Sequence, residues 1–85
     1  MKKFQYTITD ELGIHARPAG MIVKAANGYK SSIAIEKDGK SVDARRLMAI
    51  MSLGVKQGMT VTITIEGEDE ASAAAAMEQF FKENL

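Results

Sequence analysis

Apolar and polar residues alternate along Phe4-Gln5-Tyr6-Thr7-Ile8-Thr9, with Phe4, Tyr6 and Ile8 on one side. A period of two marks a strand with one buried face, so 4–9 is predicted as the first strand. After a loop at 10–14 the period changes. Ala19, Ile22, Val23 and Ala26 recur at helical spacing and predict a helix with its apolar stripe toward the core. Pro18 fits that helix only in the first turn, where its missing N–H costs little, so the helix starts at His15 or Ala16. Asn27-Gly28, a pair that tolerates positive φ, is expected to end it.

Alternation returns at 32–37 through Ile33 and Ile35. Asp38-Gly39 predicts a two-residue hairpin turn into a short strand at 40–43, with Val42 inward. Residues 45–53 read as a short helix stopped by Gly54, with Leu47, Ile50 and Leu53 as its buried side. Val61, Ile63 and Ile65 alternate with threonines over 60–65 and give the cleanest strand. A last helix buries Ala73, Ala76, Met77, Phe80 and Phe81, with Asp69 as its expected cap. Glu70 suits its positive end and Lys82 its negative end. There are no repeats and no linker. The order βαββαβα predicts one domain over 1–85: a two-layer α+β fold, three helices on one face of an antiparallel sheet.

Composition removes several function classes. The 85 residues contain no cysteine, which excludes disulfides and thiolate metal sites, and one histidine cannot build a zinc site unaided. Lysine plus arginine and aspartate plus glutamate each count 11, whereas nucleic-acid binders usually carry a basic excess. The order βαββαβ resembles that of an RNA-recognition fold, but the strands around Ile33–Ile35 and Val61–Ile65 offer no aromatic residues on which bases would stack. Arg17, Lys24, Lys40, Arg45 and Arg46 fall in the first and middle parts, leaving a basic face for an acidic protein partner. The N-terminus lacks the apolar core of a signal peptide, and no run is long enough to span a membrane, so a cytoplasmic location is expected.

The chemistry concentrates in Gly13-Ile14-His15-Ala16-Arg17-Pro18-Ala19. A helix start presents unpaired N–H groups and a positive dipole end, which together favour an anion. His15 adds a nucleophilic imidazole, and Arg17 adds a permanent, forked cation suited to phosphate oxygens. Such a place can accept a phosphoryl group on a ring nitrogen and hold it.

This motif resembles the active-site signature of the histidine-containing phosphocarrier (HPr) family of the bacterial phosphoenolpyruvate-dependent sugar phosphotransferase system. The similarity runs over essentially the whole chain, including Gly39-Lys40-Ser41-Val42, Met51-Ser52-Leu53-Gly54-Val55 and Glu66-Gly67-Glu68-Asp69-Glu70 at the start of the last helix. The resemblance implies an open-faced β-sandwich of four strands and three helices. It implies that His15 takes a phosphoryl group on Nδ1 from Enzyme I and passes it to IIA domains of sugar permeases, as a stoichiometric carrier without a cofactor. Arg17 and the amides of Ala16 and Arg17 would hold the phosphate, with Pro18 fixing the turn. Gly20, Leu47, Met48 and Met51 would form the docking surface of a monomer, methionine being adaptable to several partners.

The chain departs from the family pattern at two places. Gram-positive members carry a serine modified by a bifunctional kinase/phosphorylase where this chain has Arg46, and Leu12 stands where a small polar residue is frequent before the glycine. Leucine there is shared with the nitrogen-related branch. The alternative is therefore a regulatory paralogue, or a nitrogen-related branch member, acting mainly by protein–protein interaction.

Overall fold

The computed structural model describes residues 1–85. Its elements are β1 (Lys2–Thr7), α1 (Ala16–Ala26), β2 (Ser32–Lys37), β3 (Lys40–Asp43), α2 (Leu47–Ser52), β4 (Thr60–Glu66) and α3 (Glu70–Asn84). They follow the order βαββαβα expected from the pattern. The four strands form one antiparallel sheet in the order β1-β4-β2-β3.

Register explains why one face of this sheet is apolar. Phe4 pairs with Ile63 and Tyr6 with Val61, while Ile33 pairs with Ile65 and Ile35 with both Ile63 and Val42. Because side chains alternate across a strand, these pairs put every inward residue on the side that the helices cover. Phe81 of α3 sits edge-on to Phe4, Tyr6 and Phe80 at ring distances of 6.0, 5.7 and 5.9 Å. The other face is polar, and Thr7 and Thr60 share a hydroxyl hydrogen bond of 2.8 Å across β1 and β4.

The first strand is displaced from its predicted position. Ile8 is buried but lies outside β1, because its N–H donates to the Met59 carbonyl (2.9 Å) and its own carbonyl accepts from Gly58 (2.8 Å). The N–H groups of Thr9 and Asp10 then turn to the Leu85 carbonyl, at 2.6 and 2.9 Å. The hairpin at Asp38 and Gly39 forms as expected, with φ of 51° and 84°, the two positive values of a type I′ turn.

Helix α1 ends at Asn27 as expected, though not by a left-handed turn, and the starts of α2 and α3 depart from the sequence expectation. Asn27 keeps φ at −67° and neither it nor Gly28 turns left-handed; α1 instead tightens, with Gly28 N–H to Ala25 and Tyr29 N–H to Ala26. Helix α2 begins at Leu47 rather than 45, although Gly54 (φ 63°) stops it as expected. The Arg45 guanidinium donates to the carbonyls of Tyr29 (2.6 Å) and Ser31 (2.8 Å), and the Arg45 backbone N–H donates to the Asp43 carboxylate (2.9 Å). That holds the chain away from helical geometry until 47. Leu47 consequently opens the helix at its rim and is exposed, so the buried side is Ile50 and Leu53 only.

Asp69 occupies the cap position of α3, yet its side chain caps nothing. Its carboxylate accepts from the N–H groups of Lys30 and Ser31, both at 2.9 Å, and from the Ser31 hydroxyl. These bonds, led by the Ser31 hydroxyl, lower its pKa from 3.8 to about 2. Glu70 supplies the local satisfaction instead, accepting the Gly67 N–H (3.1 Å) and the Met1 amino group (2.7 Å). Its pKa is lowered, first by the amino-group hydrogen bond and then by that from Gly67.

Candidate functional site

His15 is the N-cap of α1, in extended geometry (φ −91°, ψ −171°), and Ala16, Arg17 and Pro18 are the first three helical residues. The first intrahelical bond comes from Ala19, whose N–H donates to the His15 carbonyl at 3.0 Å. Ahead of it, Pro18 has no N–H to satisfy, and those of Ala16 and Arg17 meet no acceptor in the protein. The His15 side chain makes no cap bond either, so its ring leaves both amides unoccupied. Two adjacent free donors at the positive end of an 11-residue helix therefore stand beside a half-buried imidazole.

The approach to this helix is held from several directions. Leu12 N–H donates to the Asp10 carboxylate (2.8 Å) and Gly13 N–H to the Asp10 carbonyl (3.0 Å). Ile14, buried, donates its N–H to the Val55 carbonyl at 3.0 Å. Gly13 lies at φ 68°, and a Cβ there would stand 2.3 Å from that same carbonyl oxygen. Only glycine lets the loop approach this closely. Pro18 and Ala19 are buried and seat the first turn on the core.

A shallow depression of about 250 Å³ gathers Asp10, His15, Arg17, Pro18, Met21 and Asn84. Three of these were selected from sequence; Asp10, Met21 and Asn84 were not. Met21 stands four residues beyond Arg17 on the same helix face and was within reach of a periodicity argument. Asn84 arrives from α3, and nothing in its own neighbourhood signals it. Arg17 is exposed, and its guanidinium makes no hydrogen bond or ion pair within the protein. Arg45, by contrast, is consumed by the carbonyls of Tyr29 and Ser31 and leaves the expected basic face.

Leu47, Met48 and Met51 are 40%, 73% and 37% exposed on α2, which packs against α1 and forms an apolar patch. Gly20 is half-buried on α1, and a Cβ there would meet nothing within 4 Å. A larger hollow of about 620 Å³ between α1 and α3 is lined by Met21, Lys24, Tyr29 and Phe80 among others, and does not reach His15. No helix is long and apolar enough to cross a membrane.

Residues 2–83 match the family model PTS-HPr, described as the PTS HPr component phosphorylation site. Among solved structures, HPr-C-His from Thermoanaerobacter tengcongensis is 43% identical, with a TM-score of 0.92 over 96% of this chain and 92% of that one. The phosphocarrier protein HPr from Bacillus anthracis str. Ames is 39% identical, with a TM-score of 0.87 over 94% and 95%. The Bacillus subtilis catabolite repression protein Crh is 36% identical, with a TM-score of 0.78 over 100% and 98%.

Proposed function

This chain belongs to the HPr family of phosphocarrier proteins, and from that premise we propose that it accepts a phosphoryl group on His15 from Enzyme I and delivers it to IIA domains of sugar permeases. The observation that carries this reading is the pair of unpartnered N–H groups at Ala16 and Arg17 beside the uncommitted imidazole. The imidazole lone pair attacks phosphorus, the phosphorus–donor bond breaks, and its electron pair returns to the donor. Phosphoryl transfer needs chiefly alignment and charge stabilisation, so a shallow site suffices. The two amides and the Arg17 guanidinium supply charge-assisted hydrogen bonds to the phosphoryl oxygens. Pro18 fixes the turn that aims those amides. Onward transfer reverses the same steps, with a IIA domain as acceptor.

Docking falls to Leu47, Met48 and Met51 on α2 and to the opening at Gly20 on α1, which gives partners an apolar surface on two helices that pack together. The carrier acts in the cytoplasm as a monomer, without cofactor. Incubation with Enzyme I and phosphoenolpyruvate, read by intact mass and acid lability, should add one phosphoryl group. His15→Ala should abolish the addition and keep the fold. Phosphorylation persisting in that variant would overturn the assignment.

The likeness to Crh over the full chain supports a second reading, a regulatory protein acting by binding alone. A chain that takes no phosphoryl group from Enzyme I yet binds a partner protein through α2 would favour it. Membership of the nitrogen-related branch would show as preference for that branch's own phosphoryl donor.

A further inference from the structure

We infer that the exposed methionines of α1 and α2, Met48 above all and then Met21 and Met51, are oxidation sites: a hydroperoxide converts these thioethers to sulfoxides and turns the apolar surface of the two helices polar. The chain has six methionines and neither cysteine nor tryptophan, so thioethers carry its oxidation chemistry. Their exposure is sharply graded. Met48 is 73% exposed, Met21 40% and Met51 37%, whereas Met77 is 1% exposed in the core. Met59 is half-buried, and its sulfur accepts the Lys56 N–H at 3.4 Å. Met1 is also exposed, but its amino group is held by Glu70 at the start of α3, away from α2. Three of the four exposed thioethers thus stand on α1 and α2, and Met21 borders the depression that holds His15.

The sulfur lone pair attacks one peroxide oxygen. The S–O bond forms as the O–O bond breaks, hydroxide leaves and takes the proton from the transferred oxygen, and the products are sulfoxide and water. Sulfur is oxidised by two electrons and the peroxide reduced by two. A sulfoxide is a strong hydrogen-bond acceptor on what was an apolar, flexible side chain. A partner closing over it without a donor leaves that acceptor unsatisfied, which weakens docking by about tenfold or more. This consequence rests on the docking role proposed above for Met48 and Met51, while the order of oxidation and the change in surface polarity do not.

The test separates the two. The folded protein is treated with graded hydrogen peroxide, mapped by peptide mass and run on a hydrophobic-interaction column. Met48 and Met1 should gain oxygen first, then Met21 and Met51, with Met59 and Met77 last, and column retention should fall. The combined variant Met21→Leu, Met48→Leu, Met51→Leu keeps Met1 and should lose much less retention under the same treatment. Early oxidation of Met59 or Met77, or equal loss of retention in the variant, overturns the site. Phosphoryl transfer from Enzyme I is then compared before and after oxidation, and again after methionine sulfoxide reductase. Unchanged transfer after oxidation overturns the consequence. An untreated protein that accepts no phosphoryl group refutes the carrier reading and this consequence, and the oxidation order and retention still decide the site.

Discussion

Replacing Gly13 by alanine tests whether the loop's close approach to Val55 positions the free amides. Two penalties combine. At φ 68° an alanine pays the left-handed cost of ~1–2 kcal/mol. Its Cβ would also lie 2.3 Å from the Val55 carbonyl oxygen and 2.7 Å from the Lys56 Cα, distances that backbone atoms cannot accept. The loop must withdraw and release the Ile14 N–H bond to that carbonyl, worth ~0.5–1.5 kcal/mol. The expected loss is about 2–4 kcal/mol, since buried Ile14 moves too. Gly39→Ala is the control: φ is 84°, but nothing lies within 4 Å of the added Cβ, so only the left-handed cost applies. Urea denaturation followed by circular dichroism measures both variants, and ¹⁵N–¹H spectra read the Ala16 and Arg17 amides. Gly13→Ala should fall below Gly39→Ala by about 1 kcal/mol or more and shift both amide resonances. Equal losses with unmoved amides would refute the positioning role of this loop.

The other tests address charge, docking and acid stability. Arg17→Ala should slow phosphoryl transfer by about tenfold or more while changing IIA affinity little, because its free guanidinium acts on the phosphate. Met48→Asp should weaken affinity by about tenfold or more; equal affinity losses in a paired titration and rate measurement would refute this division. The serine kinase of Gram-positive relatives and ATP should leave the mass unchanged, since Arg46 has no hydroxyl, and Arg46→Ser should create an acceptor; modification of the unaltered protein at Ser41 or Ser52 would refute this. Asp69 titrates at about 2 in the fold against 3.8 ordinarily, so its contribution is present above 3.8 and is lost as pH falls toward 2. The urea midpoint of the native protein should therefore converge on that of Asp69→Asn across this window, and a pH-independent gap would count against the carboxylate's bonds to Lys30 and Ser31.

All seven elements were legible in order because each carries its own period, and the strand set Ile33, Ile35, Val61, Ile63 and Ile65 fixed the inward face. The late start of α2 and the missing side-chain cap of α3 share one cause that no local pattern carries. The segment after α1 turns without positive φ and offers the Tyr29 and Ser31 carbonyls and the Lys30 and Ser31 N–H groups. Arg45 takes the carbonyls and is pulled out of α2; Asp69 takes the N–H groups and is pulled away from capping α3. Near neighbours alone make Arg45 the first residue of a helix and Asp69 the cap of another. Their partners lie 14 to 39 residues away, and the polar backbone groups at 29–31, around buried Ser31, outcompeted the local alternatives.

The same distinction divides the candidate site. His15, Ala16, Arg17 and Pro18 were legible because their arrangement follows from one helix start, a matter of successive residues. Asn84 and the anchor on Leu85 were not, for the loop at Thr9 and Asp10 reaches Leu85 through a contact closing more than 70 residues of chain. The Leu85 carbonyl accepts the N–H groups of Thr9 and Asp10 and the Thr9 hydroxyl, so the end of α3 and the loop before α1 are one mechanical unit. Asp10 in turn holds Leu12 and Gly13, and Gly13 is pressed against Val55. The chemistry is thus local in sequence while its rigidity is not. A seven-residue motif transplanted onto another helix start would keep the imidazole and the cation. It would lose the fixed approach through Asp10, Gly13 and Val55 that leads into the helix start.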